Sequence, residues 1–386
     1  LMIRRPPRST QSRSSAASDV YKRQRSGYFN DSVELPARVL EEDSETPYMT
    51  RRAMDFMAED DGKKPWLLHL SYIKPHWPYV APAPYNNMYT ARDVIPAVRS
   101  EAELDDPNSL IGYFRTRVAS KTFSNEEARE KIIPAYMGLI SQIDDQLGIL
   151  FKFMEGRGLI ENTMIIFTSD HGDYLGDHWL GEKEYFHNPS VKVPLIIVDP
   201  SKLADKTRGK TDDSLVECID LLPTFLDYHG GSIPVNILEG RSLMSKIHGE
   251  KSDWRDYVIS EGDYSFQVFR KETGRMPLDC RSYMIATKEW KYVHAPGFEP
   301  VLFDLVSDPD ELNDLGSSAE HRSICQSMFN KLAGWSLQYR QRVACSEERA
   351  VYMTGIEETM GVLIGYWDED DTKHLDPSIL PNRELK

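Results

Sequence analysis

The sequence predicts an α/β protein: a mostly parallel sheet sandwiched by helices, followed by a smaller C-terminal α+β domain. Three observations carry this. The apolar runs MIIF (164–167) and VPLIIV (193–198) alternate with amphipathic helical stretches, as in a parallel sheet covered on both faces. Apolar residues in 129–158 recur every three or four positions, the helical period. Beyond Gly240 the texture changes to short strand-like segments and then one more helix.

Taken in order, residues 1–24 (LMIRRPPRSTQSRSSAASDVYKRQ) are rich in Arg and Ser, carry Asp19 as their one acid and show no apolar periodicity. Such a stretch cannot pack. It has the composition of a transit peptide or a disordered tail, and it reads best as the translation of a sequencing adapter fused to a transcript; it is set aside from the fold. The main domain is expected over 25–239. PWLLHLSY (65–72) has the make-up of a short buried strand, and the proline-rich IKPHWPYVAPAPY after it cannot be helical. In 129–158, Ile133, Met137, Ile140, Ile143, Leu147, Leu150 and Met154 line one face of a helix that Gly156 or Gly158 terminates. After the two apolar runs, Leu215, Ile219, Leu222 and Leu226 mark a second helix.

Over 240–346, YVISE, RSYMIATKEWKYVHA and PVLFDL read as strands, with a helix from about Glu320 to Leu337. This predicts a small antiparallel sheet backed by a helix. The tail, 347–386, sets MGVLIGYW among acids and prolines, so an oligomer contact or docking on the body is expected there.

With 46 basic and 61 acidic residues in 386, the formal charge is −15. That surplus argues against nucleic acid or an anionic membrane as partner. No apolar run approaches the roughly 20 residues of a membrane helix. Cys218, Cys280, Cys325 and Cys345 are scattered and form no CxxC pair, which favours a reducing compartment and a cytoplasmic location.

The chemistry concentrates in FTSDHGDYLGDHWLGEKEYFH (167–187), directly after MIIF. In open α/β sheets, ligands bind beyond the carboxyl ends of strands. A carboxylate and an imidazole from neighbouring residues can reach one divalent cation where the backbone turns sharply, and Gly172 permits such a turn, so Asp170 and His171 are candidate metal ligands. The bland alternative is a strand-end Asp capping the next turn. Lys183 can neutralise the oxygens of a tetrahedral anion beside that metal, or be a solvated surface lysine. His76, past another candidate strand, can share the rim as hydrogen-bond donor or general acid, or be an ordinary loop histidine. Asp177 and His178 are expected to orient the ligands from behind.

Together these segments resemble the sulfatase and phosphonate monoester hydrolase branch of the alkaline-phosphatase superfamily, from about Tyr28 to the end. FTSDHGDYLGDHWLGEK resembles the family's metal-and-lysine loop, KPHWPYVAPAPY its histidine loop, and KIIPAYMGLISQIDDQLG the helix before the metal strand. VPLIIVDPS and VECIDLLPTFLDYHG resemble the strand and helix that follow, and WKYVHAPGFEPVLFDLVSDPDELNDL the small C-terminal domain.

The resemblance implies that Asp170 and His171 are two metal ligands, Lys183 contacts the substrate's charged oxygens and His76 is the active-site histidine. Many calcium-dependent sulfatases have Asp-Asn where this chain has Asp-His. An imidazole suits Mn, Zn or Fe, with Ca still possible, and tilts the substrate towards small anionic phosphonate and phosphate esters, sulfate esters remaining open. Homotetramers are implied by the phosphonate hydrolase branch. One departure stands out: the family's formylglycine nucleophile is made from the Cys or Ser of Cys-x-Pro-x-Arg, and no cysteine here has that context. An N-terminally truncated, inactive fragment of an active hydrolase is therefore expected. A dedicated calcium-dependent sulfatase and a non-catalytic binding or assembly descendant are the alternatives.

Overall fold

The computed structural model describes residues 33, 35–105, 109–338, 349 and 351. The segment 1–24 lies outside these, as does the tail from 347 apart from Arg349 and Val351. The chain forms two compact units, Leu1–Val216 with Ser245–Leu332 and Glu217–Met244 with Ala333–Lys386.

In the first unit, helix α1 (Glu45–Ala58) precedes the segment 66–72 and the proline-rich loop. Helices α2 (Ser109–Thr116) and α3 (Val118–Phe123) lead into the long α4 (Glu126–Gly156). The Asn125 side chain caps α4 by accepting from Ala128 N at 3.2 Å. Past Gly156 the chain leaves the helix at Gly158, whose φ of 66° is left-handed and suits glycine. Several apolar clusters hang on α4 among the described residues. One joins Ala53 and Met57 of α1 to Leu150 and Met154, with Trp66, Leu68, Leu70 and Ile165 against them. Another gathers Tyr79, Phe123, Ile132 and Ala135. Phe123 and Ile132 are fully buried, which stabilises by roughly 1.5–3 kcal/mol each.

Strands β1 (Ile165–Thr168) and β2 (Leu195–Val198) fall on the two apolar runs, and the α/β class holds. Their pairing is antiparallel, with Ile165 opposite Val198, where a parallel arrangement is expected from the sequence. The connection 169–194 contains only single helical turns, so it lacks the crossover helix that usually returns a chain in parallel. The expectation of burial on both faces also needs correction, since Phe167, Ile196 and Val198 are 40%, 58% and 40% exposed. Residues 66–72 alternate inward and outward as a strand would, but form no ladder with other described residues. They are held by Trp66, Leu68 and Leu70 packing inward.

Strands β3 (Val258–Asp263), β4 (Arg281–Ala286), β5 (Trp290–His294) and β6 (Val301–Asp304) form an antiparallel meander, as the short strand-like segments predict. Its buried Met284, Val293, Val301 and Phe303 share a core with Leu110, Phe114, Tyr174 and Phe186. The meander thereby supports the loop that follows β1. The second unit contains helix α5 (Leu221–Tyr228). There the Asp220 carboxylate accepts from Glu217 N and Arg241 N at 2.8 and 2.7 Å. Helix α6 (Arg322–Gln338) follows the meander in sequence, near the predicted limits. Among the described residues no helix is long and apolar enough to cross a membrane.

Candidate active site

The loop after β1 is shaped by a close approach. A Cβ on Gly172 would lie 1.9 Å from Pro189 O, and Gly172 N donates to Ser190 O at 2.8 Å. Gly172 has no positive φ, so the glycine is required by contact rather than by the sharp turn read from the sequence. Just before it, the Asp170 carboxylate accepts from His171 N at 3.0 Å, and Ser169 Oγ donates to His171 O at 2.7 Å.

Asp170 Oδ2 lies 3.5 Å from His171 Nε2, and the Asp170 side chain is 85% exposed. His171 Nδ1 is 2.8 Å from Gly172 O. A carbonyl only accepts, so in the neutral imidazole the proton sits on Nδ1 and Nε2 carries the lone pair. That is the tautomer a metal ligand through Nε2 needs. The donor chemistry fits a divalent cation, for which these two residues would supply part of a coordination shell. Among the described residues, no group of three or more His, Cys, Asp or Glu gathers to complete one.

His76 and Lys183, 107 positions apart, meet at this rim: Lys183 Nζ is 3.5 Å from His76 Nε2. The His76 and His171 rings are 6.4 Å apart. His76 Nδ1 is 2.7 Å from Trp77 O, which again assigns the proton to Nδ1 and leaves Nε2 to accept from the lysine. Two groups behind His76 are not evident in the sequence. Lys74 Nζ donates to Pro78 O at 2.7 Å and to His76 O at 3.3 Å, and burial lowers its pKa to about 8, against the raising effect of Glu45. Tyr79 OH donates to Asp173 Oδ2 at 2.7 Å, tying the histidine loop to the loop after β1. Burial lifts the Asp173 carboxyl to about 6, although its bonds from Tyr79 and Leu175 N oppose this. Tyr79 stands three residues after His76, but its partner is 94 positions away and no local pattern marks it.

Asp177 and His178 do not stand behind the ligands as expected. Asp177 Oδ1 accepts from Val98 N at 2.8 Å, and His178 N donates to Val98 O at 2.9 Å. The His178 ring is buried between Glu103, at 2.8 Å, and His187, stacked 4.0 Å away. Both residues fasten the strap 95–103. The competing principle is burial: a histidine with a carboxylate partner inside a core is satisfied there and serves structure. His187 is likewise buried, with Nδ1 2.9 Å from Tyr174 OH.

Lys183 is exposed between two glutamates. Arg117 pairs with Glu184, and its other terminal nitrogen lies 3.9 Å from Glu182 Oε2. Burial raises the Glu182 pKa, while Arg117 lowers it and Glu184 raises it further. From behind, Ser190 Oγ donates to Lys183 O at 2.7 Å and steadies the backbone that carries the ammonium.

Residues 8–231 match the family described as Sulfatase, and 176–338 match the one described as N-sulphoglucosamine sulphohydrolase, C-terminal. The chain is 33% identical over 326 residues to the multifunctional alkaline phosphatase superfamily protein PehA of Trinickia caryophylli, covering 80% of this chain and 63% of that protein. It is 32% identical over 278 residues to an arylsulfatase of Clostridium perfringens, covering 72% of this chain and 54% of the relative. The crystal structure of the phosphonate monoester hydrolase of Agrobacterium radiobacter is similar, with TM-score 0.76 and 26% identity, covering 89% of this chain and 73% of that one. The chain thus spans 63% and 54% of the length of the two curated relatives. With the strand-end loop, the histidine loop and the antiparallel meander all in place, the chain belongs to the sulfatase and phosphonate monoester hydrolase family of the alkaline-phosphatase superfamily.

Proposed function

We propose that the whole protein hydrolyses small anionic esters, phosphonates and phosphates foremost and sulfates as well, with a divalent metal and a formylglycine nucleophile. The observation that carries this reading is the meeting of Lys183 and His76 at 3.5 Å, beside the Asp170–His171 pair. Asp170 and His171 would hold the cation, which when bound would supply Lewis-acid charge at the ester. The Lys183 ammonium meets the non-bridging oxygens and offsets charge gathering on them in transfer. His76 accepts at Nε2 while neutral; once protonated, it presents a donor there to the departing ester oxygen. The Trp77 carbonyl holds the ring so that this nitrogen faces the rim.

The sequence contains no Cys-x-Pro-x-Arg, so this chain by itself is expected to bind anion and metal without turning over ester. Calorimetric titration with inorganic sulfate, inorganic phosphate and phenylphosphonate, with and without Mn²⁺, tests the reading. Lys183→Ala is expected to weaken anion binding at least tenfold, in line with loss of a charge-assisted contact, and Asp170→Asn to weaken Mn²⁺ binding. A folded wild-type chain that binds none of these anions in either condition sinks the proposal. Preference for Ca²⁺ over Mn²⁺ and Zn²⁺ moves it to a dedicated sulfatase. The proposal extends to a homotetramer, which the mass of the protein in solution checks.

A further inference from the structure

Two carboxylates flank the lysine that is to receive an anion, and this arrangement needs a counterweight. Glu182 and Glu184 adjoin Lys183 in sequence, and the Glu182 carboxylate lies within electrostatic reach of both Lys183 and His76. Left unopposed, they would draw the ammonium into an ion pair and repel an incoming sulfate or phosphate. Arg117, at the N-terminal boundary of α3, pairs with Glu184 and lies 3.9 Å from Glu182 Oε2. Its side chain is 30% exposed and theirs 14% and 28%, so solvent screens this group less than a fully exposed one. Lys183, by contrast, is exposed, and among the described residues its ammonium has one hydrogen-bond contact, to His76.

We propose that Arg117 is a positioning residue for anion binding, holding the Glu182 and Glu184 carboxylates away from Lys183 so that its ammonium stays available to the substrate's oxygens. This rests on the reading of Lys183 given above. With Arg117 present, the two cations balance the two carboxylates. Without it, negative charge prevails where a dianion must land.

The test is calorimetric sulfate titration of the folded chain, each variant first checked by thermal melting. Arg117→Gln is expected to weaken sulfate binding roughly tenfold, the scale of one unit charge at about 8 Å in a partly screened site. Adding Glu182→Gln and Glu184→Gln to that variant is expected to restore it. Glu182→Gln with Glu184→Gln alone is expected to bind sulfate more tightly than wild type, a measurement that stands even if Arg117→Gln fails to fold. Unchanged affinity in Arg117→Gln, or weakening that the carboxylate changes do not reverse, overturns this inference while a Lys183→Ala loss leaves the function standing. Absence of sulfate binding in the wild type overturns both.

Discussion

At Gly172 the backbone passes so near Pro189 that a single added methyl group has no room. Backbone cannot swing aside as a flexible side-chain end can, so strain spreads to Asp170 and His171 on one side and to the Ser190 contact on the other. Gly172→Ala is expected to lower stability by about 2–3 kcal/mol and to weaken metal binding; urea denaturation and Mn²⁺ titration measure the two effects. Asp170, His171, Lys183 and His76, the proposed site, could be picked out of the sequence because each stands in a polar stretch after an apolar one. Lys74, Tyr79 and Arg117 could not. Tyr79 and Arg117 act on partners 94 and 67 positions distant, and Lys74 bonds to backbone carbonyls that no side-chain pattern marks. Asp177 and His178 show the converse, since residue types suited to a site are equally suited to a buried hydrogen-bonded strap.

Among elements, a buried ion pair at the meander anchors the loop after β1 through hydrogen bonds. Lys291 on β5 pairs with Glu311, their side chains being 2% and 1% exposed. Lys291 Nζ also donates to Phe186 O at 3.0 Å and to Asn188 Oδ1 at 2.9 Å, while Glu311 Oε2 accepts from Asn188 N at 2.6 Å. These bonds hold the segment that leads away from Lys183. Removing one partner strands a buried charge, so Lys291→Met is expected to cost about 3–5 kcal/mol, and adding Glu311→Leu to recover part of it. Chemical denaturation of the two variants decides, and equal stability of single and double variants would contradict the account. The long α4 was legible because 3.6-residue periodicity survives any context. The short α2 and α3 were not, for eight and six residues carry too little pattern.

For the molecule as a whole, acid stability depends on groups held neutral inside it. His187 is buried against His178, near Lys291 and Arg115, and burial first, then these charges, push its pKa well below 6.5. A folded-state value below the unfolded one means the unfolded chain takes up the proton first. The stabilising effect is therefore present above pH 6.5 and is lost as pH falls beneath it. Denaturant midpoints are expected to drop from about pH 7 to about pH 5. His187→Phe is expected to flatten that slope, even though it costs stability by depriving Tyr174 OH of a partner. An unchanged slope in this variant assigns the acid lability elsewhere.

The sequence by itself determined the α/β class, the long helix, the meander and the polar run at the end of β1, because hydrophobic period and composition act over a few residues. Tertiary structure decided the rest: the antiparallel pairing of β1 with β2, the meeting of His76 with Lys183, and which of the many acids and histidines turn inward. Those outcomes follow from contacts between segments far apart in the chain, where burial and charge balance override what neighbouring residues suggest.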